Sequence, residues 1–125
     1  MENKLLFVYG SLLSGMGNHS LLDNEEATLL GEATTPPEFS LLDLGSYPGL
    51  SLDGTTSVKG EVYSVSEAVY RRVEMLEGYP SYYDRTTLST PYGTAEAYFL
   101  EGEEYDYLNK VDSGDWREYY EAKRY

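Results

Sequence analysis

VKGEVYSVSEAVYRRVEMLEGYP, residues 58–80, holds a strand, a helix start and a helix stop in one uninterrupted run. VKGEVYSV, residues 58–65, alternates Val and Tyr and reads as a central strand. Ser64 and Glu67 stand at capping-box spacing, where two side chains satisfy backbone N–H groups that a helix start leaves open. Val69, Val73 and Leu76 follow at i, i+4 and i+7, one apolar stripe on one helix face. Gly78 suits the left-handed position that closes a helix, and Pro80 prevents any continuation.

Outward from this run the chain reads mostly as short strands. KLLFVY, residues 4–9, is a β-rich run ending at Gly10, and SLLSGMGNHS after it is a loop. SLLDNEEA, residues 20–27, is expected to hold one short helix. ATLLGEAT and EFSLLDL, split by Pro36-Pro37, read as two further strands, and residues 43–56 as a loop. RTTLSTPYGTAEAYFL, residues 85–100, is a hairpin turning at Pro-Tyr-Gly. SGDWREYYEAKRY, residues 113–125, is expected to lie as an aromatic strap across the sheet. Many short strands around one firm helix predict a single α+β domain over residues 1–125, built on a mixed sheet or small barrel. Fourteen tyrosines suit such a sheet, each offering a flat apolar body with a polar tip.

Composition removes whole classes of chemistry. The chain has 125 residues and no cysteine, so disulfides, thiolate metal sites and thiol nucleophiles are all excluded. The absence of cysteine fits a cytoplasmic protein. MENKLLFVYGSLLSG resembles a signal peptide only superficially, because its apolar run is short and broken at Gly10. No apolar run approaches the roughly 20 residues needed to span a bilayer. A formal charge of −13 repels phosphate backbones, so no nucleic-acid or anionic-membrane partner is expected. A single histidine, His19, excludes a multi-histidine metal site, and no acidic calcium loop occurs.

Two places remain where the residues could carry chemistry. In VYGSLLSG, Gly10 and Gly15 have the spacing that opens a P-loop, but Met16 stands where its lysine belongs. Ser11 also lacks the flanking glycines of a nucleophile elbow. What a strand ending in Gly-Ser offers is a turn whose backbone N–H groups can bind an anion without a charged side chain. The other reading is an ordinary strand-to-loop turn. His19, beside Asn and Ser, is expected to be a loop hydrogen-bonder rather than a triad member.

The second place is the helix end. Counting from Val69 at about 100° per residue, Val73 falls at about 40°, Leu76 at about −20°, Glu77 at about 80° and Glu74 at about 140°. Glu77 therefore sits at the edge of the apolar stripe and Glu74 faces solvent. Partial burial and the negative end of the helix dipole both disfavour charge on Glu77, so its pKa should be raised. Such a carboxylate can take a proton near neutral pH and return it. On helix geometry alone, a glutamate reaching to water remains equally open.

Taken in order, VYGSL at 8–12, KGEVYSV at 59–65 and LEGYPSYYDR at 76–85 resemble the γ-glutamylcyclotransferase-like family, including its γ-glutamylamine cyclotransferase and plant avirulence-induced branches. PYGTAEAYFL and SGDWREY match more loosely. The resemblance implies a small mixed β-barrel with flanking short helices. It implies that the backbone of Tyr9, Gly10, Ser11 and Leu12 holds a substrate's glutamyl head. It also implies that Glu77 is catalytic and that Tyr83 lines the pocket, while Arg85 supports the strand or a local ion pair. The implied substrate is a small γ-glutamyl amine or peptide, released as 5-oxoproline and a free amine with no metal, nucleotide or redox cofactor. A non-catalytic small-molecule-binding module of the same fold is the competing class.

Overall fold

Apolar side chains at alternate positions of a few strands let one sheet serve two cores in the computed structural model. It describes residues 3–14, 16–17, 19–23, 25–45, 47–78, 83–100, 105 and 108–122. Seven strands and two α-helices follow in the order β1 (Lys4–Val8), β2 (Ala27–Thr34), β3 (Phe39–Asp43), β4 (Pro48–Thr56), β5 (Lys59–Val65), α1 (Glu67–Glu77), β6 (Asp84–Thr90), β7 (Gly93–Phe99) and α2 (Trp116–Ala122). Where a helix is expected over 20–27, the described residues form a single 3₁₀ turn, His19–Leu21.

Five strands make a mixed sheet in the order β2-β5-β1-β7-β6, in which only β1 and β7 run parallel. The remaining two pair as a separate ribbon, β3 with β4. The sheet curls. The Tyr92 hydroxyl at the β6–β7 turn donates to the Glu32 carbonyl on β2 at 3.3 Å, joining the far edges. The ribbon is tied to the end of β7 by Leu100 N–H donating to the Leu50 carbonyl at 2.9 Å. This curled mixed sheet with its two helices is the α+β architecture expected from the sequence.

Alternation divides the core as a period of two demands. On β1, Leu6 and Val8 point to the α1 side, while Phe7, and Tyr9 just after the strand, point to the ribbon and α2. On β7, Ala95, Ala97 and Phe99 join the second group and Tyr98 the first. Helix α1 covers the first face with Val69, Tyr70 and Val73, all buried. Each such side chain contributes roughly 1.5–3 kcal/mol of burial.

Four further expectations change. The helix cap is Ser66, not Ser64: its side chain accepts from Val69 N–H at 3.3 Å, while Ser64 stays paired in the ladder. Val65 is still paired on both sides, so the chain cannot turn helical before Ser66. Residues 48–56 are not a loop but β4. Glycines hide that strand in the sequence, and packing explains Gly49, since a Cβ there would collide with Leu100. The strap is partly helix: Asp115 caps α2 by accepting from Glu118 N–H at 3.2 Å, and Trp116 is fully buried. Leu76, expected on the apolar stripe, is 41% exposed. Pro80, Gly15 and the last three residues of the strap lie outside the described residues.

Candidate active site

The turn after β1 is shaped by what packs against it. Leu13 N–H donates to the Gly10 carbonyl at 3.0 Å and Met16 N–H to the Leu13 carbonyl at 2.9 Å, giving two successive tight turns. Pro48, at the start of β4, lies so close that a Cβ on Gly10 would sit 2.5 Å from its Cγ. Glycine at position 10 is thus a requirement of close approach. His19 supports the turn from the side, its Nδ1 lying 3.0 Å from the Leu12 carbonyl, which makes it the loop hydrogen-bonder expected.

Tyrosines join this turn to its surroundings. The buried Tyr9 hydroxyl donates to the Tyr98 carbonyl at 2.7 Å and accepts from Leu50 N–H at 3.0 Å, linking β1, β4 and β7. The buried Tyr83 hydroxyl donates to the Pro48 carbonyl at 2.8 Å. Opposite them α1 ends at Gly78, whose φ of 64° and N–H bonds to the Glu74 and Met75 carbonyls close the helix. Tyr83 N–H then donates to the Glu77 carbonyl at 3.3 Å, returning the chain beside the helix end.

These elements enclose a cavity of about 360 Å³. Tyr9, Gly10, Ser11, Leu12, Glu77 and Tyr83, the six residues singled out from the sequence, all line it. The rest of its wall is largely apolar: Leu6, Phe7, Val8, Val73 and Leu76, with Tyr47, Pro48 and Tyr98. Burial in that wall pushes the Glu77 carboxyl up from 4.5 to about 7. Desolvation penalises the charged form, and among the described residues no salt bridge reaches Glu77 to offset it. Tyr9 is pushed well above its ordinary value, first by burial and then by the negative charge of Glu77. The two groups thus share one poorly solvated space.

Glu74 is not simply solvent-facing, as its helical phase suggested. Strand β6 brings Arg85 against it, with Nη1 2.9 Å from Glu74 and Nε 3.3 Å from Glu96. The same guanidinium lies 5.4 Å from the centre of the Tyr70 ring. Glu74 is committed to an ion pair and does not line the cavity. The ion pair expected of Arg85 is present.

Sequence reasoning missed Tyr98, Tyr47 and Pro48. Tyr98 could have been found from the alternation of GTAEAYF, which sets it opposite Ala97 and Phe99. Tyr47 and Pro48 carried no signal, because the strand that Pro48 opens and Tyr47 precedes was not recognised. Glu61 was also passed over; a single carboxylate inside the apolar run VKGEVYSV was the available sign.

The arrangement offers one poised carboxylate and a backbone turn lining the same largely apolar cavity. The family model described as "Gamma-glutamyl cyclotransferase, AIG2-like" matches residues 6–118, and the chain belongs to that family. A putative γ-glutamylcyclotransferase of Vibrio cholerae is 46% identical over 112 residues, covering 90% of this chain and 94% of its own. The γ-L-glutamyl-butirosin B γ-glutamyl cyclotransferase of Niallia circulans is 45% identical over 75 residues, 59% of this chain and 46% of that one. The crystal structure of a mouse AIG2-like protein superposes with a TM-score of 0.77 at 28% identity, covering 92% of this chain and 90% of its own.

Proposed function

We propose that this protein cyclises a γ-glutamyl amine or γ-glutamyl peptide to 5-oxoproline and releases the amine, with Glu77 as the single general acid and base. The observation that carries the reading is the Glu77 carboxyl, raised to about 7 in the same cavity as the Gly10–Leu12 turn. The described cavity wall contains no Lys or Arg, so the glutamyl α-carboxylate is held by backbone N–H groups of the turn. That leaves the α-ammonium directed at Glu77.

Glu77 takes a proton from the α-ammonium, and the freed nitrogen attacks the γ-carbonyl carbon. A C–N bond closes the five-membered ring as the C–N bond to the leaving amine breaks. The ring nitrogen gives up two protons in all and the leaving nitrogen gains two, one relayed by Glu77 and one exchanged with water. Charge is conserved, and no electrons are transferred to or from another reactant. Because the attack is intramolecular, the protein chiefly has to hold the folded-back conformer, for which effective molarities reach on the order of 10⁵ M or more.

The relative from Niallia circulans is named for a γ-glutamyl substrate, γ-L-glutamyl-butirosin B, in keeping with a γ-glutamyl head bound here. The test is 5-oxoproline release from γ-L-glutamyl-ε-lysine, γ-glutamyl dipeptides and glutathione. Turnover of at least one, abolished in Glu77→Gln and retained in Glu74→Gln, is the expected result. Tight binding of these compounds without turnover by the wild type would instead make the site a non-catalytic binding module.

A further inference from the structure

Glu61 lies outside the cavity wall yet is only 6% exposed. It stands on β5 directly opposite Val8, the last residue of β1 before the turn. Gly60 beside it lets the strands approach, since a Cβ there would collide with the Val8 carbonyl. The carboxylate reaches the far end of the same turn. It accepts from Ser14 N–H at 2.9 Å, from Ser14 Oγ at 2.6 Å and from the Tyr63 hydroxyl at 3.0 Å. Arg117, on α2, closes the group: its Nη2 donates to Glu61 at 3.1 Å and to Ser14 Oγ at 3.2 Å.

Burial pushes the Glu61 carboxyl up, but the hydrogen bonds from Ser14, Arg117 and Tyr63 outweigh it and hold it below its ordinary value. The carboxylate is therefore charged in the folded protein. An ion pair with one buried partner and Arg117 37% exposed is a weak device for stability, because desolvation of Glu61 and solvent screening of Arg117 offset most of its attraction. What this one does have is directional control. One strand residue grips both ends of the segment Tyr9–Ser14, by backbone register at one end and by its side chain at the other. Backbone N–H groups make an anion site only when their directions are fixed beforehand.

We propose that Glu61, with Ser14 and Arg117, is a positioning clamp that sets the Gly10–Leu12 backbone for the glutamyl α-carboxylate, making helix α2 part of the substrate-binding apparatus. The inference rests on the cyclotransferase reading above and is tested separately from it. Glu61→Gln turns an acceptor into a donor facing Ser14 Oγ and the Arg117 guanidinium. Substrate binding should weaken while Glu77, on another element, is untouched.

With γ-L-glutamyl-ε-lysine as the probe, KM should rise tenfold or more, with kcat within about threefold and the acid limb of kcat unmoved. The double variant Glu61→Gln/Arg117→Gln, which restores neutral complementarity, should recover much of that KM. Unchanged KM in folded Glu61→Gln, a fall in kcat alone, or a double variant worse than either single overturns the clamp. If Glu61→Gln does not fold, Ser14→Ala decides: KM should rise severalfold, and an unchanged KM overturns the proposal. If the wild type releases no 5-oxoproline, the cyclotransferase reading fails by itself. Calorimetry with L-glutamate then tests the clamp: a Kd tenfold weaker in Glu61→Gln supports it, and an equal Kd, or no binding to the wild type, overturns it.

Discussion

Replacing Glu77 by Gln should make the protein more stable at alkaline pH and leave it no more stable at acid pH. Burial raises the Glu77 carboxyl from 4.5 to about 7 in the folded protein. Between those values the folded state holds a proton that the unfolded chain has already released. Stability therefore falls as pH rises through that window. At 1.36 kcal/mol per pKa unit, the wild type loses roughly 3 kcal/mol by pH 8. Glu77 is partly exposed, and solvent screening brings the figure to ~2–3 kcal/mol. Glutamine is a neutral stand-in for the protonated acid and bears no such cost. Urea unfolding should thus give matching stabilities at about pH 4.5 and a variant ~2–3 kcal/mol more stable at about pH 8, a rise in Tm on the order of 10 °C. Other carboxylates titrate equally in both proteins and cancel in the difference. A stability difference that is the same at both pH values, or a wild type more stable at pH 8, would refute the reasoning. It would mean that the Glu77 carboxylate is stabilised in the fold and is not poised to take a proton.

Activity should follow the same ionisation with the opposite sense. The carboxylate form takes the first proton, so kcat/KM should climb as pH rises through about 7 and level off above it; a profile flat from pH 5 to 8 would contradict the role of Glu77. Gly10→Ala should lower kcat/KM more than tenfold in a protein that still folds, because the Pro48 ring 2.5 Å from the added Cβ forces the turn to move; wild-type kinetics would show that the turn does not contact substrate. Tyr9→Phe should destabilise by about 1–3 kcal/mol in denaturant titrations, since it leaves a buried N–H of Leu50 and the Tyr98 carbonyl without their hydroxyl. In the substrate panel, γ-L-glutamyl-ε-lysine should exceed glutathione in kcat/KM by at least tenfold. The cysteinylglycine part of glutathione carries an unbalanced carboxylate, whereas the lysine part balances its carboxylate with an ammonium; the described cavity wall offers no cation to the former, and a chain of formal charge −13 repels it.

Local patterns in the chain were enough to mark β1, β2, β3, β5, the β6–β7 hairpin and helix α1. Each is set by period-2 alternation, by a left-handed glycine or by a turn within the segment itself. The phase of Glu77 on α1 was equally local, and so was the Gly10–Ser11 turn at a strand end. What the sequence could not decide was anything supplied by a distant partner. Residues 48–56 become a strand because β3 pairs with them, and the glycines that disguised the strand leave room for Leu100 and Ser40. Ser66 rather than Ser64 caps α1 because β1 and β2 hold Val65 in the ladder. Glu74 is drawn into an ion pair by Arg85, eleven residues on, and Glu61 stays charged in a buried position because Ser14 from the β1 turn and Arg117 from the last helix both donate to it. The pKa of Glu77 belongs to the same category. Helical phase put it at the edge of an apolar stripe, but its value comes from walls contributed by β1, the start of β4, β7 and Tyr83. Desolvation is a property of the enclosed space, and only the tertiary structure closes that space.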